Sequence, residues 1–166
     1  MSARDYARVA SLLGSAHRPG PRIDAMQRVV DALWEELAPK GVSWVGFYLK
    51  DPNADELTLG PRRDKPACSP IGLHGACGRS YSSRRALIVT DVANLRAGYI
   101  ACDPRDRSEA VIPLFEPDGL SCWGVLDADS FDIGAFSERD VEGMLSALVA
   151  AGLTPPSTDR PPTEVV

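Results

Sequence analysis

The hydrophobic pattern of this chain changes its period twice, and this change limits the possible folds more than any other feature. Apolar residues recur at helical spacing from Ile23 to Leu37, after the break at Pro19-Gly20-Pro21. From Val42 the pattern alternates with the two-residue period of a strand, and the helical period returns behind Ser137. Helices at both ends with strands between them predict an α+β domain.

Five segments carry strand signals, and short turn sequences join two pairs of them. Asp51 to Asp55 and Glu116 to Gly119 have turn chemistry, which favours hairpins and a mostly antiparallel sheet. Ser137 and Asp140 predict a capping box at the start of the last helix. The predicted strands are 42–49, 56–60, 86–90, 110–115 and 120–128.

Length and charge favour one ordinary globular domain. The chain has 166 residues and a formal net charge of -5, which argues against sequence-independent binding of nucleic acid. No segment approaches the roughly 20 apolar residues that span a bilayer, and the N-terminus lacks the apolar core of a signal peptide, so we expect a cytoplasmic protein without membrane contact. Residues 154–166 contain four prolines, and we expect a disordered tail after a domain of residues 1–153.

Three of the four cysteines, Cys68, Cys77 and Cys102, lie in predicted loops or strand ends. In the cytoplasm a disulfide between them would be transient and catalytic. Glycines surround Cys77, and a short helix starting near Gly78 would place N–H groups that stabilise a thiolate. The alternative is that each cysteine is a small buried hydrophobic residue. The pattern alone indicates, without deciding, a thiol redox site.

Acidic residues form a second candidate group at the end of the last predicted strand. Asp127 and Asp129 are two residues apart, so both point to the same face of the sheet. Such a pair binds a cation or shares a proton, because two adjacent carboxylates repel each other. The alternative is a pair of solvated residues at a strand end. The same alternation places Cys122 on the opposite face, where we expect it to pack in the core.

Trp44 and Tyr48 lie four residues apart on the first predicted strand and therefore share a face. Gly46 between them leaves open space, so the two rings could wall a pocket. Aromatic residues on a strand are more often part of the core, and this remains the alternative.

Several motifs in the same order resemble the free methionine-(R)-sulfoxide reductases, which are GAF-fold enzymes. The resemblance runs from about Trp44 to Asp140, and several ordered motifs are more specific than any one of them. The chain differs from the family pattern at Leu73-His74-Gly75, in a shorter loop between Cys68 and Cys77, and at Tyr99, where the family tends to have His. The matching segments are Trp44-Val45-Gly46-Phe47-Tyr48, Leu59-Gly60-Pro61, Lys65-Pro66-Ala67-Cys68, Gly75-Ala76-Cys77-Gly78, Ile100-Ala101-Cys102-Asp103, Ser108-Glu109 and Gly124-Val125-Leu126-Asp127-Ala128-Asp129-Ser130.

This resemblance implies a GAF fold and reduction of the R epimer of free methionine sulfoxide, with thioredoxin as the electron donor. It implies that Cys102 is the nucleophile, that Cys68 is the main resolving cysteine and that Cys77 is a possible second one. The acidic substrate-binding and proton-handling group would be Glu109, Asp127 and Asp129. The pocket for the S-methyl group would be walled by Trp44 and Tyr48. No cofactor and no metal are implied, and a homodimer is possible.

Two other classes of function stay open. One is a non-catalytic GAF module that binds a small ligand and regulates a partner. The other is a structural zinc site, which would use Cys68, His74, Cys77 and Cys102, although the spacing does not fit the common paired-ligand knuckle. A separate hypothesis is that Arg105 or Arg107 contacts the substrate carboxylate.

Overall fold

The structure of the chain, a computed structural model, describes residues 3–95, 99 and 101–166. The α-helices of these residues are α1 (Tyr6–Ser15), α2 (Arg22–Leu37), α3 (Ala76–Ser83) and α4 (Glu138–Ala150). The strands are β1 (Trp44–Lys50), β2 (Glu56–Arg63), β3 (Ile71–Gly72), β4 (Leu87–Val89), β5 (Ser108–Phe115), β6 (Cys122–Ser130) and β7 (Glu164–Val165). Among the helices so described, none is long and apolar enough to cross a membrane.

One sheet contains all of these strands, in the order β3-β2-β1-β6-β5-β4-β7. Neighbouring strands are antiparallel, except that β4 and β7 run parallel. The predicted α+β fold, with a central antiparallel sheet and terminal helices packed on it, is confirmed. The connections inside the sheet are hairpins wherever the sequence carries turn chemistry, as between β5 and β6.

One face of the sheet, which we call the helix face, packs against α1, α2 and α4. Phe47, Ile112 and Leu126 point to this face from β1, β5 and β6 and are almost completely buried. Each such side chain contributes roughly 1.5–3 kcal/mol through its removal from water. The predicted capping box is present, since Ser137 and Asp140 bond to each other's backbone at the start of α4.

The opposite face of the sheet, which we call the site face, is covered by α3 and by loops. Trp44, Tyr48, Val111 and Val125 point to it, and each alternates along its strand with a residue of the helix face. This alternation is the physical basis on which the strands present different chemistry on their two sides. The candidate site lies on this second face.

The alternation fails near Cys122, where the sequence prediction is wrong. The β5–β6 register shifts, so that Leu114 pairs with Gly124 but Phe115 pairs with Cys122. This bulge turns Trp123 to the helix face, where its ring stacks on Phe47. Cys122 is therefore placed near Arg84 at the end of α3, on the site face rather than in the core opposite to it.

The C-terminal segment differs from the disordered tail predicted for residues 154–166. The backbone N–H of Glu164 donates to Ala86 O at 2.8 Å, and that of Val166 donates to Ile88 O at 2.9 Å. These bonds pair β7 with the outer edge of β4, whose polar groups otherwise have no strand beside them. The four prolines predicted disorder, but composition alone does not show that residues 164–166 pair with this edge.

Candidate active site

The register of the central strands brings three carboxylates together on the site face. Asp129 lies directly opposite Trp44 on one side and Glu109 on the other, and Asp127 lies opposite Gly46 and Val111. One oxygen of each of the three acids lies within 4.8 Å of the others, a spacing at which they could surround one cation. The prediction that Asp127 and Asp129 share a face is confirmed, and Glu109 joins them from β5.

Burial and mutual repulsion raise the pKa values of these three carboxyl groups, which opposes the ionisation of all three at once. Burial raises the pKa of Glu109 to about 8, and the charge of Asp127 adds to this effect. Burial likewise raises the pKa of Asp127 to about 7. Asp129 is only half-buried, but desolvation and the charges of its two neighbours still raise its pKa well above the usual range. At neutral pH the group therefore retains at least one proton.

The acids have few internal partners. The Tyr99 hydroxyl donates to Glu109 Oε1 at 2.7 Å, and the Cys77 thiol donates to Asp127 Oδ2 at 3.3 Å. Asp127 Oδ1 is buried and has no hydrogen-bond partner in the part of the chain that the structure describes. A buried carboxylate oxygen without a donor is costly, so this atom is suited to a ligand that brings one.

Cys77 differs from its sequence-based interpretation. It lies in the first turn of α3, as the glycines around it suggested, but its side chain is buried against Asp127. Burial, followed by the charges of Asp127 and Glu109, raises the pKa of this thiol well above its usual range. The helix N-terminus therefore does not make Cys77 a thiolate, because desolvation and the neighbouring carboxylates outweigh it.

Cys68 and Cys102 form a disulfide at the edge of the acidic group, with their Cα atoms 5.5 Å apart. Cys68 lies in the segment between β2 and β3, and Cys102 lies ahead of β5, so the bond joins two loops over the sheet. Both cysteines are exposed. Cys102 is followed by Asp103, which binds Arg105 of its own loop at 2.8 Å and Lys65 of the Cys68 loop at 2.8 Å. The Lys65 ion pair therefore joins the same two loops as the disulfide.

The two aromatic residues support the loop that carries Cys68. Trp44 Nε1 donates to Lys65 O at 2.9 Å, and the Tyr48 hydroxyl donates to Cys68 O at 2.9 Å. Their ring centroids are 6.1 Å apart. The sequence suggested open space beside Gly46, but this space is occupied, because a Cβ there would lie 2.4 Å from the Trp44 ring. Gly46 is thus the residue that leaves room for the indole over β1.

A cavity of about 250 Å³ contains all the predicted site residues. Trp44 and Tyr48 line one side, the disulfide lies at the rim, and the acids form the base. Asp106 also lines this cavity, although the sequence analysis did not single it out. It lies in a loop with no period from which its direction could be inferred. The residues that line the cavity include Trp44, Tyr48, Cys68, Cys77, Tyr99, Cys102, Asp106, Glu109, Asp127 and Asp129.

The alternatives based on zinc and on arginine find no support in this arrangement. Cys68 and Cys102 are bonded to each other, and the only group of potential metal ligands among residues 3–95, 99 and 101–166 is the acidic one. Arg105 is paired with Asp103 and Arg107 with Asp91, and neither arginine is among the cavity-lining residues.

Sequence comparison identifies known proteins that are similar to this chain. The sequence profile of the GAF domain matches residues 22–153. A free methionine-R-sulfoxide reductase of Escherichia coli is 38% identical over 114 residues, which are 68% of this chain and 64% of that protein. One of Saccharomyces cerevisiae is 39% identical over 103 residues, which are 61% of this chain and 56% of that protein. The chain thus spans less than two thirds of these two relatives.

Two solved structures superpose on nearly the whole of this chain. The free methionine-R-sulfoxide reductase of Neisseria meningitidis, in complex with its substrate, superposes with a TM-score of 0.80 and 31% identity, covering 92% of this chain and 90% of that one. The reduced form of the Staphylococcus aureus enzyme gives a TM-score of 0.80 and 31% identity, covering 91% and 97%.

Proposed function

Since this chain belongs to the GAF-domain family and, within it, to the free methionine-R-sulfoxide reductases, we propose that it reduces free L-methionine-(R)-sulfoxide to methionine. The observation that carries this proposal is the Cys68–Cys102 disulfide at the rim of a cavity with three clustered carboxylates at its base. A dithiol that closes to a disulfide there has the two electrons that the reaction needs.

In the proposed complex the substrate enters with its ammonium group toward the acids. Asp127 Oδ1 has no donor among the described residues, and a primary ammonium supplies three. The S-methyl group packs against the rings of Trp44 and Tyr48, which form the apolar wall. A peptide-bound methionine has no ammonium to offer, so burying its amide against several carboxylates would be unfavourable. This arrangement favours the free amino acid.

The first chemical step uses the reduced protein. The sulfur of Cys102 attacks the sulfoxide sulfur as a thiolate, and its proton passes to a carboxylate of the acidic group. A protonated acid of the same group, Glu109 or Asp127, gives a proton to the sulfoxide oxygen. The resulting hydroxyl then moves from the substrate sulfur to Cys102 Sγ, so that the S–O bond and the transient S–S bond to the substrate sulfur both break and Cys102 is left as a sulfenic acid. Methionine is released. The acidic group gains one proton from the thiol and gives one to the oxygen, and the two-electron oxidation of Cys102 matches the two-electron reduction of the sulfoxide, so the step is balanced without an external oxidant or reductant.

In the second step the thiol of Cys68 attacks the sulfenic sulfur of Cys102, which forms the disulfide and releases water. Cys77 is a less suitable resolving thiol, since it is buried and bonded to Asp127. An external dithiol, for which we propose thioredoxin, then reduces the disulfide by exchange and is itself oxidised. The exposure of both cysteines supports access for such a protein.

The carboxylates have opposite effects on the two reacting partners. They stabilise the substrate ammonium, but they also disfavour the Cys102 thiolate. Protonation of one acid and binding of the ammonium both reduce the negative charge around Cys102. We therefore propose that the nucleophile becomes more reactive when the substrate binds.

The test is turnover of each sulfoxide epimer by the reduced protein, with a thioredoxin system coupled to NADPH. We expect consumption of NADPH with the R epimer alone. Cys102→Ser should lose this activity by at least about 10³-fold, because no other thiol lies at its position. Cys122→Ser is the matched control, and it should retain the activity since Cys122 is not among the cavity-lining residues. No turnover of either epimer by folded, reduced protein would refute the proposal and favour a ligand-binding module.

A further inference from the structure

Asp106 is a buried carboxylate that belongs to no sequence motif of the site. Its side chain is 6% exposed, and it lies between Cys102 and the start of β5. Its backbone N–H donates to Asp103 O at 3.1 Å, which closes the turn after Cys102. Its Oδ1 accepts a hydrogen bond of 3.1 Å from the Ser43 hydroxyl. Ser43 in turn donates its backbone N–H to Asp129 O at 2.8 Å, so Asp106 is fixed to the end of β6.

Asp106 separates two adjoining spaces. It lines the cavity of the candidate site, and it also lines a second cavity of about 290 Å³ next to the loop that carries Lys65. Only a few residues share this property, and they include Cys102, Asp129 and Trp44. Asp106 therefore lies beside the nucleophile and beside the acidic group at once.

The charges that face Asp106 come from each neighbouring segment. Lys65 and Arg105 are positive but are already engaged by Asp103. On the sheet, Glu109, Asp127 and Asp129 are acidic. The pKa of Asp106 is raised, by burial above all, while the Ser43 hydrogen bond and the two cations favour its charged form. Its negative charge in turn raises the pKa of Glu109, Asp127 and Asp129.

We propose that Asp106 is a fourth carboxylate of the reaction site, a positioning residue that determines how firmly the three clustered acids and the Cys102 thiol hold their protons. Removing a negative charge next to an acid makes that acid lose its proton at lower pH. The proton donor for the sulfoxide oxygen would then be lost earlier as the pH rises, and the thiolate would form earlier. The catalytic consequence rests on the proposed function, but the effect on the thiol does not.

The experiment compares wild-type protein with Asp106→Asn, which keeps the shape and can still accept the Ser43 hydrogen bond. Single-turnover formation of methionine by pre-reduced protein is measured between pH 5.5 and 9. We expect the alkaline limb of the variant to move to lower pH by about one unit, so that its rate falls about tenfold at pH 8 but less than about twofold at pH 6.

A second measurement needs no turnover. The rate of alkylation of Cys102 by iodoacetamide is followed in the reduced proteins by peptide mass spectrometry across the same pH range. The variant should react several-fold faster near pH 7, because more of its Cys102 is thiolate. If wild-type protein shows no turnover, the proposed function fails, whereas the alkylation result still decides the role of Asp106.

Ser43→Ala is the graded comparison, since it keeps the Asp106 carboxyl group but removes a hydrogen bond that favours its charged form. It should move both pH profiles in the same direction as Asp106→Asn, but by clearly less. The inference is overturned if Asp106→Asn leaves both pH profiles unchanged in a protein with a wild-type melting temperature. It is also overturned if Ser43→Ala shifts them equally, because position rather than charge would then be the cause.

Discussion

The two faces of the central sheet are made by the same strands, yet they differ in almost every physical property. On the helix face, Phe47, Ala128 and Leu126 pack against helices and contain no polar side-chain atom. On the site face, the residues that alternate with them include Asp127 and Asp129. The first face lowers the free energy of the folded chain through apolar burial, whereas the second places ionisable groups where their charges are unfavourable.

This difference shows how one sheet separates stability from chemistry. Successive side chains of a strand point to opposite faces of the sheet, so one residue can lie in the dry core while the next lies in the reactive cavity. The helix face can stabilise the fold strongly enough for the site face to retain acids with raised pKa values. Because the two faces contribute differently to the free energy of unfolding, substitutions at adjacent positions of β6 should have opposite effects on stability.

The largest effect is expected from Leu126→Ala on the helix face. Leu126 is 1% exposed, so the substitution removes buried apolar atoms and leaves a cavity. We expect the free energy of unfolding to fall by about 2–5 kcal/mol. Urea denaturation followed by circular dichroism measures this. Leu120→Ala is the matched control, because Leu120 is 74% exposed and its truncation should cost less than about 0.5 kcal/mol. Equal losses in both variants would contradict the division between the faces.

The next effect is expected from Asp127→Asn, one residue away on the site face. The pKa of Asp127 is about 7 in the folded protein and 3.8 in its reference state, so the folded chain binds more protons between these values. Its stability therefore decreases as the pH rises from about 4 to about 7. Asn has no charge to lose, and the variant should be more stable than wild type at pH 8 by at most about 4 kcal/mol.

Urea denaturation of both proteins at pH 5 and pH 8 tests this sign. The difference between variant and wild type should favour the variant more at pH 8 than at pH 5, while the proposed reductase activity should be strongly impaired in the variant. A variant that is destabilised equally at both pH values would mean that Asp127 is ionised in the folded protein without cost.

The same contrast explains what the sequence could reveal. Regular alternation predicted that Asp127 and Asp129 share a face, and a local motif predicted the capping box of Ser137 and Asp140. Both rest on short-range geometry that the order of residues determines. The cysteine and acid roles came from resemblance to a family, since no spacing rule brings Cys68 next to Cys102.

The errors occur where a distant segment decides the outcome. At the bulge Trp123 stacks on Phe47 of another strand, and Cys122 lies on the other face from the one predicted. The space beside Gly46 is filled by the ring of Trp44, two residues away in sequence but folded over the strand. Asp106 lies in a loop, where alternation gives no direction, and only the three-dimensional arrangement places it beside the acids.

The smallest effect is expected where the apolar and chemical functions meet, at Tyr48. Its ring belongs to the wall of the cavity, while its hydroxyl donates to Cys68 O and so holds the loop of the proposed resolving cysteine. Tyr48→Phe keeps the ring and removes one hydrogen bond, a change of about 1 kcal/mol. We expect formation of methionine in a single turnover to stay within about twofold of wild type. Closure of the disulfide, followed by titration of free thiols, should slow by about fivefold, because the Cys68 loop then has more positions to sample. Slowing of both steps by the same factor would show instead that the hydroxyl acts on the substrate, and the loop-holding role of Tyr48 would have to be abandoned.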